Sequence, residues 1–120
     1  MLNLDTHVVI FAMTGQLRPA EQRLLASETW SISDIVLWEI AKLAQLGRIE
    51  IDLDDPEIAR FLAAIHVWPI TLPICRALRD LDFRGDPADE IIAATSLVQK
   101  IPLVTRDGVI RKSKRVPIAR

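Results

Sequence analysis

A chain of 120 residues, half of them apolar and 26% charged, can bury one core but not two, so a single domain over residues 1–120 is expected. The apolar run Val8 to Met13 falls far short of the ~20 residues that span a bilayer, no basic leader segment opens the sequence, and the lone Cys75 cannot form an internal disulfide, so a cytoplasmic protein with no membrane partner is expected. The formal net charge of −1 hides an asymmetry: residues 1–105 carry 15 acidic and 9 basic side chains, whereas residues 106–120 carry one acidic and six basic.

In chain order, Leu2 to Leu4 reads as a strand ended by Asp5-Thr6, followed by an apolar helix over Val8 to Met13 that Thr14-Gly15 breaks. Pro19 opens a helix over Ala20 to Ala26, because its fixed φ suits the first helical position. Trp30 to Ser33 is a short strand, and Ser33 or Asp34 caps a helix running to Leu46 and stopped by Gly47. Asp55-Pro56 starts a helix whose apolar positions Ile58, Phe61, Leu62 and Ile65 keep helical spacing. Val67 to Ile70 reads as a strand that Pro69 confines to an edge. Pro73 opens a helix over Ile74 to Leu81, and Asp86-Pro87-Ala88-Asp89 opens another running to about Gln99. Leu103 to Thr105 is a strand, and Val116 to Ile118 is a candidate for a last one at an edge. This alternation predicts an α/β fold with a central parallel sheet of four to five strands and helices on both faces. Right-handed crossovers put the carboxyl ends of all strands on one edge.

Ligands of such sheets bind outside that edge, which gives the acid positions a meaning. Asp5 follows the first strand, and Asp107 lies two residues past the strand ending at Thr105. Asp34 and Glu39 lie early in the helix after Ser33, and Asp86 and Asp89 open a later helix. Acids from four chain segments therefore converge on one rim, where their repulsion calls for a cation. Hard oxygen donors of this kind suit Mg²⁺ or Mn²⁺. Each acid also has a purely structural reading. Asp5, Asp86 and Asp89 suit helix starts, Glu39 is spaced to pair with Lys42 on an exposed helical stripe, and Asp107-Gly108 suits a turn.

Other chemistries find less support. His7 and His66 have no Cys or His partner at zinc spacing, and His7 reads as a packed or rim residue of its helix. No glycine-rich phosphate loop occurs, and Ser33, Ser96 and Cys75 lack the pattern of an activated nucleophile. Trp30, Trp38 and Trp68 read as core anchors, with Trp38 also suited to an interface. The basic run Arg106, Arg111, Lys112, Lys114 and Arg115 suits either a phosphate backbone or a solvated tail.

Four blocks resemble PIN-domain proteins: Leu4-Asp5-Thr6-His7-Val8, Leu37-Trp38-Glu39-Ile40-Ala41-Lys42, Gly85-Asp86-Pro87-Ala88-Asp89 with Ile91 to Thr95, and Pro102 to Asp107. They occur in order across nearly the whole chain, and the most similar subgroup is that of the VapC toxins. The resemblance implies an α/β/α sandwich with a metal site formed by Asp5, Glu39, Asp89 and Asp107, with Thr6 and Thr105 as polar neighbours. It leaves Asp86 as a helix cap or a residue of the outer site. Glu90 departs from the Arg that many relatives carry beside the third acid. The activity implied is Mg²⁺-dependent hydrolysis of RNA phosphodiester bonds (with Mn²⁺ as a substitute), in which metal-activated water attacks and the basic residues from Arg106 onward hold the RNA. A cognate antitoxin, a transfer or ribosomal RNA substrate and a homodimer are implied as partners.

Two competitors stand beside this reading. A phosphatase or receiver domain also places Asp after the first strand, but the former wants an Asp where His7 stands and the latter an acidic pair where Leu4 and Thr6 flank Asp5. A catalytically silent PIN module that only binds a partner or RNA is the alternative that Glu90 keeps open.

Overall fold

The computed structural model describes residues 1–120. Its elements are β1 (Leu2–Leu4), α1 (Thr6–Met13), α2 (Pro19–Ala26), β2 (Trp30–Ser33), α3 (Asp34–Gln45), α4 (Pro56–Ala63), β3 (His66–Trp68), α5 (Leu72–Ala77), α6 (Pro87–Gln99), β4 (Leu103–Val104) and α7 (Gly108–Arg111), with a 3₁₀ turn at Leu78–Asp80 after α5. The four strands form one sheet in the order β3-β2-β1-β4, and every pairing is parallel. Asn3 sits opposite both Ser31 and Leu103, which fixes the register around the central strand β1.

The two faces of the sheet are covered by different means. Asn3 is fully buried, and its Nδ2 donates to Ile92 O at 3.3 Å and Ser96 Oγ at 2.9 Å, so α6 lies over this face. Ala93, Ala94 and Ser96 are buried, and such small side chains let the helix backbone approach closely. On the other face Trp30 donates its Nε1–H to Leu25 O of α2 at 2.9 Å and meets Phe61 of α4 edge-on. Leu4, Val8, Val9, Ile32, Val36, Ile40 and Ile92 fill the core and are wholly buried. Burial of such side chains contributes about 1.5–3 kcal/mol each.

Several expectations need correction. The third strand begins at His66 and ends at Trp68, so Pro69 and Ile70 fall outside it; Pro lacks the N–H that continuing the ladder would require. Val116 to Ile118 makes a single bridge, Ile118 with Leu103, rather than a fifth strand. The basic C-terminal stretch is not a solvated tail: Val116 and Ala119 are buried, and Asp82 accepts from Ser113 Oγ and from Lys114 N. These bonds hold the Asp82 carboxyl below its ordinary range. Of the three tryptophans, Trp30 and Trp68 are partly buried whereas Trp38 is 59% exposed and no core anchor. No helix is long and apolar enough to cross a membrane.

Candidate active site

Asp5 leaves β1 at the carboxyl edge with extended dihedrals and caps α1, its Oδ1 accepting from Thr6 N at 2.8 Å. Its Oδ2 accepts from Thr105 Oγ at 2.6 Å. Capping and site placement are therefore one fact, since the residue that ends the strand also starts the helix. Asp5 is 6% exposed, and its two bonds come from neutral donors. The Thr105 hydroxyl also accepts from Asp107 N at 3.0 Å. Asp107 in turn caps α7, Oδ1 accepting from Val109 N at 2.9 Å and Ile110 N at 3.1 Å.

Glu39 projects from the second turn of α3 towards α1, where the buried Thr6 hydroxyl donates to its Oε1. The expected Glu39–Lys42 pair does not form, and Lys42 Nζ donates to Gln45 at 3.0 Å instead. Asp89 occupies the first turn of α6, partly buried, and its carboxylate makes no hydrogen bond and no ion pair within the chain. Asp86 stands at the N-cap of α6, yet its side chain makes no capping bond. Glu90 reaches back to accept from Gly85 N at 3.2 Å, so its charge is turned to the loop before α6.

Asp5, Glu39, Asp86, Asp89 and Asp107 line one cavity of about 450 Å³ together with His7, Phe11 and Arg106. Asp34 stands apart, its Oδ2 accepting from Ile70 N at 3.3 Å beyond the end of β3. A helix advances about 100° per residue, and that rotation separates Asp34 from Glu39. His7 is exposed at the rim and stacks obliquely near Phe11, one turn on, at 6.3 Å between ring centroids. The rim half of its expected placement holds, and the i,i+4 spacing to Phe11 is the signal that a wall of the cavity lay there.

Burial pushes the Asp89 carboxyl up to about 6, and the charges of Asp5, Glu39, Asp107 and Asp86, in that order, add to the effect. None of the five acids forms an ion pair with Lys, Arg or His. The acids line the wall without closing on a common point, and no three metal-binding side chains form a ready-made cage. The donor chemistry nevertheless fits a hard divalent cation. All donors are carboxylates, Asp89 has both oxygens free of hydrogen bonds, and a cation would offset the repulsion from the neighbouring acids that adds to the effect of burial on Asp89.

The basic residues divide. Arg106 binds Glu21 through two parallel bonds, Nε to Oε2 at 2.8 Å and Nη2 to Oε1 at 2.7 Å, and lies 3.9 Å over the Phe11 ring centroid. Its charge is thus met by an acid 85 residues away in sequence. Nothing local links the two residues, so sequence reasoning does not find this fork. Arg111 donates to Thr105 O at 3.0 Å, whereas Lys112, Lys114 and Arg115 are exposed and make no side-chain bond.

A parallel sheet between helical layers with an acid-lined cavity at its carboxyl edge defines an α/β protein built around an anionic cleft. The PIN domain model matches residues 3–116, and the chain belongs to the PIN-domain family. It is 27% identical over 118 residues to ribonuclease VapC22 of Mycobacterium tuberculosis, an alignment covering 92% of this chain and 90% of that protein. Among solved structures it is similar to VapBC2 from Rickettsia felis bound to a promoter DNA fragment, with a TM-score of 0.71, 16% identity and 99% and 98% of the two chains covered. FitAcB from Neisseria gonorrhoeae superposes with a TM-score of 0.69 at 20% identity, covering 100% and 97%. These likenesses show a shared fold over nearly the whole chain.

Proposed function

We propose that this chain is a Mg²⁺-dependent endoribonuclease, the VapC-type toxin of a toxin–antitoxin pair, folding as one domain over residues 1–120. The observation that carries the reading is Asp89: a partly buried carboxylate without any internal partner, sharing one cavity with Asp5, Glu39, Asp86 and Asp107. Charge repulsion within such a cluster favours binding of a cation. Asp5 and Asp89 would hold the ion most directly, with Glu39 and Asp107 completing the oxygen set. Mg²⁺, or Mn²⁺ in its place, supplies countercharge to the phosphate and makes a water nucleophilic near neutral pH.

The chain's own residues set the stage for that chemistry. Thr105 and the α1 amide fix both oxygens of Asp5, and Thr6 orients Glu39. Two α7 amides fix one oxygen of Asp107 and leave the other free. Such outer hydrogen bonds orient ligands and tune their affinity. Hydrolysis adds water across a P–O bond of RNA, and the leaving oxygen takes up a proton. The relative VapC22 is a ribonuclease and one structural likeness is a VapBC complex, which supports RNA as the substrate and an antitoxin as the protein partner; a homodimer is part of the same reading. Glu90 accepts from Gly85 N and does not line the acid cavity, which supports the catalytic reading over that of a silent module.

The test is cleavage of total bacterial RNA by the purified protein with Mg²⁺, with EDTA, and with Asp89→Asn. Discrete fragments that require both metal and Asp89 are expected. Folded wild-type protein that leaves RNA intact in Mg²⁺ overturns the reading. Expression in a bacterial host should arrest growth unless the cognate antitoxin is co-expressed.

A further inference from the structure

A second cavity of about 320 Å³ opens beside the end of β4, and its charge is opposite to that of the acid site. Arg18, Arg106, Arg111 and Arg120 line it, with Glu21 the single acid in its wall. Glu21 is spent on Arg106, and its Oε1 also accepts from the Arg18 amide at 2.7 Å. No carboxylate pairs with the guanidinium groups of Arg18, Arg111 or Arg120. A carboxylate at the end of Arg120 would reduce this excess of cations without removing it. Arg111 and Arg120 are nevertheless held in place: Arg111 donates to Thr105 O at 3.0 Å and Arg120 donates to Arg111 O at 2.9 Å. Ala20, Leu24, Val104 and Ala119 supply an apolar wall, which strengthens charge interactions by excluding water.

The position of this cavity is as informative as its charge. Thr105 and Arg106 separate it from the acid site: the Thr105 hydroxyl holds Asp5 while the Thr105 carbonyl holds Arg111. A chain carrying a regular series of negative groups would meet cation-seeking acids on one side of Thr105 and guanidinium groups on the other. We infer that the cavity of Arg18, Arg111 and Arg120 docks a backbone phosphate of the same RNA whose scissile phosphate meets the acid site. The inference rests on the ribonuclease reading for the identity of its ligand. A guanidinium fork pairs with the oxygens of a phosphate or a carboxylate, and phosphate is chosen because the cavity adjoins the acid site proposed to act on a phosphodiester chain. It also redraws the basic interface: Arg18 and Arg120 join it from outside the run 106–115, whereas Lys112, Lys114 and Arg115 lie outside the cavity.

The experiment is anisotropy titration of a short, labelled single-stranded RNA against the full chain in EDTA, over a series of KCl concentrations. Removing one phosphate-binding cation lowers the slope of log affinity against log salt by about 0.7. Arg18→Gln and Arg120→Gln, singly and together, should weaken binding several-fold and flatten the slope in step, whereas Lys112→Gln should change the slope less. In Mg²⁺, cleavage by the double variant should show a raised KM with kcat retained. Arg111→Gln is a secondary test, since it also removes the bond to Thr105. An unchanged slope in the folded double variant, or no RNA binding by wild type, overturns the assignment. Retained RNA affinity together with failure to bind the co-expressed protein partner also overturns it, and points to a carboxylate of that partner in the cavity. Failure of cleavage by wild type would refute the ribonuclease reading alone, because the salt slope is measured without metal.

Discussion

Two cavities meet at Thr105 and Arg106, and they treat a carboxylate in opposite ways. In the arginine-lined cavity, Glu21 receives a two-pronged guanidinium and is held down at about 2, mainly by the hydrogen bonds from Arg106. In the acid-lined cavity, Asp89 receives nothing and is pushed up to about 6, mainly by burial and then by its acidic neighbours. Both are partly buried carboxylates on the first turn of a helix, so helix position does not explain the difference. What separates them is whether the chain itself supplies the cation. Glu21 is neutralised from within the chain, whereas the acids of the other cavity have only Thr hydroxyls and backbone amides as partners and, on the function proposed above, would take their countercharge from solution.

The comparison breaks most visibly if the unneutralised acids prove dispensable. Asp5→Asn and Asp89→Asn should each lower RNA cleavage in Mg²⁺ by about 100–1000-fold, the rate equivalent of several kcal/mol of metal-derived stabilisation. Circular dichroism should show the fold retained. Near wild-type cleavage by either variant would remove the acid cavity from the mechanism. A smaller effect follows from the hydroxyl that orients Asp5. Thr105→Val keeps the shape of the buried side chain but removes the 2.6 Å bond to Asp5 and the acceptor for Asp107 N. Metal affinity, followed by Mn²⁺ titration, should fall about 10–100-fold, as it does when an outer hydrogen-bond partner of a metal ligand is removed.

The contrast also marks what could be read from the sequence. Asp5, Asp107 and Asp89 were legible because each follows a recognisable boundary: the end of a short apolar strand, or Pro at the first position of a helix. Strand polarity then brought them to one edge without any further information. The edge rule placed Glu39 on the same rim, but its local spacing suggested Lys42 as its partner, whereas Thr6, which it meets instead, lies 33 residues away. Asp34 shows the limit of the edge rule, because sharing a helix start with the site does not fix which way a side chain faces. The Glu21–Arg106 fork was invisible for the same reason. Helical spacing reports neighbours on one helix, whereas this pair joins α2 to the segment after β4.

That fork offers the next test. Glu21→Gln keeps the size of the side chain but removes the charge, and weakening the charge-assisted bonds should cost about 1–2 kcal/mol. The pH dependence gives the sign. The folded Glu21 sits at about 2 against an ordinary 4.5, so its stabilisation is complete above 4.5 and is lost as pH falls from 4.5 through 2. Denaturant melts should therefore show wild type and Glu21→Gln converging in acid and separated at neutral pH. A constant gap at all pH values would mean that the fork contributes through shape, not charge.

Asp89 should behave in the reverse sense, and this is the smallest and sharpest of the tests. Its folded value of about 6 lies above the ordinary 3.8, so in metal-free protein the folded state binds a proton more tightly than the unfolded state. Ionised Asp89 therefore destabilises the fold above pH 6, and the penalty disappears as pH falls from 6 through 3.8. Because the side chain is only partly buried, solvent screening reduces the effect to about 1 kcal/mol, or about 4 °C in Tm for a chain of this length. In EDTA at neutral pH, Asp89→Asn should melt above wild type, although in Mg²⁺ the same variant should cleave RNA far more slowly. If Mg²⁺ binds the folded state as proposed, it should raise the wild-type Tm and leave the variant nearly unchanged. A variant that melts lower in EDTA would show that Asp89 has an internal partner after all, and would return it to the class of Glu21.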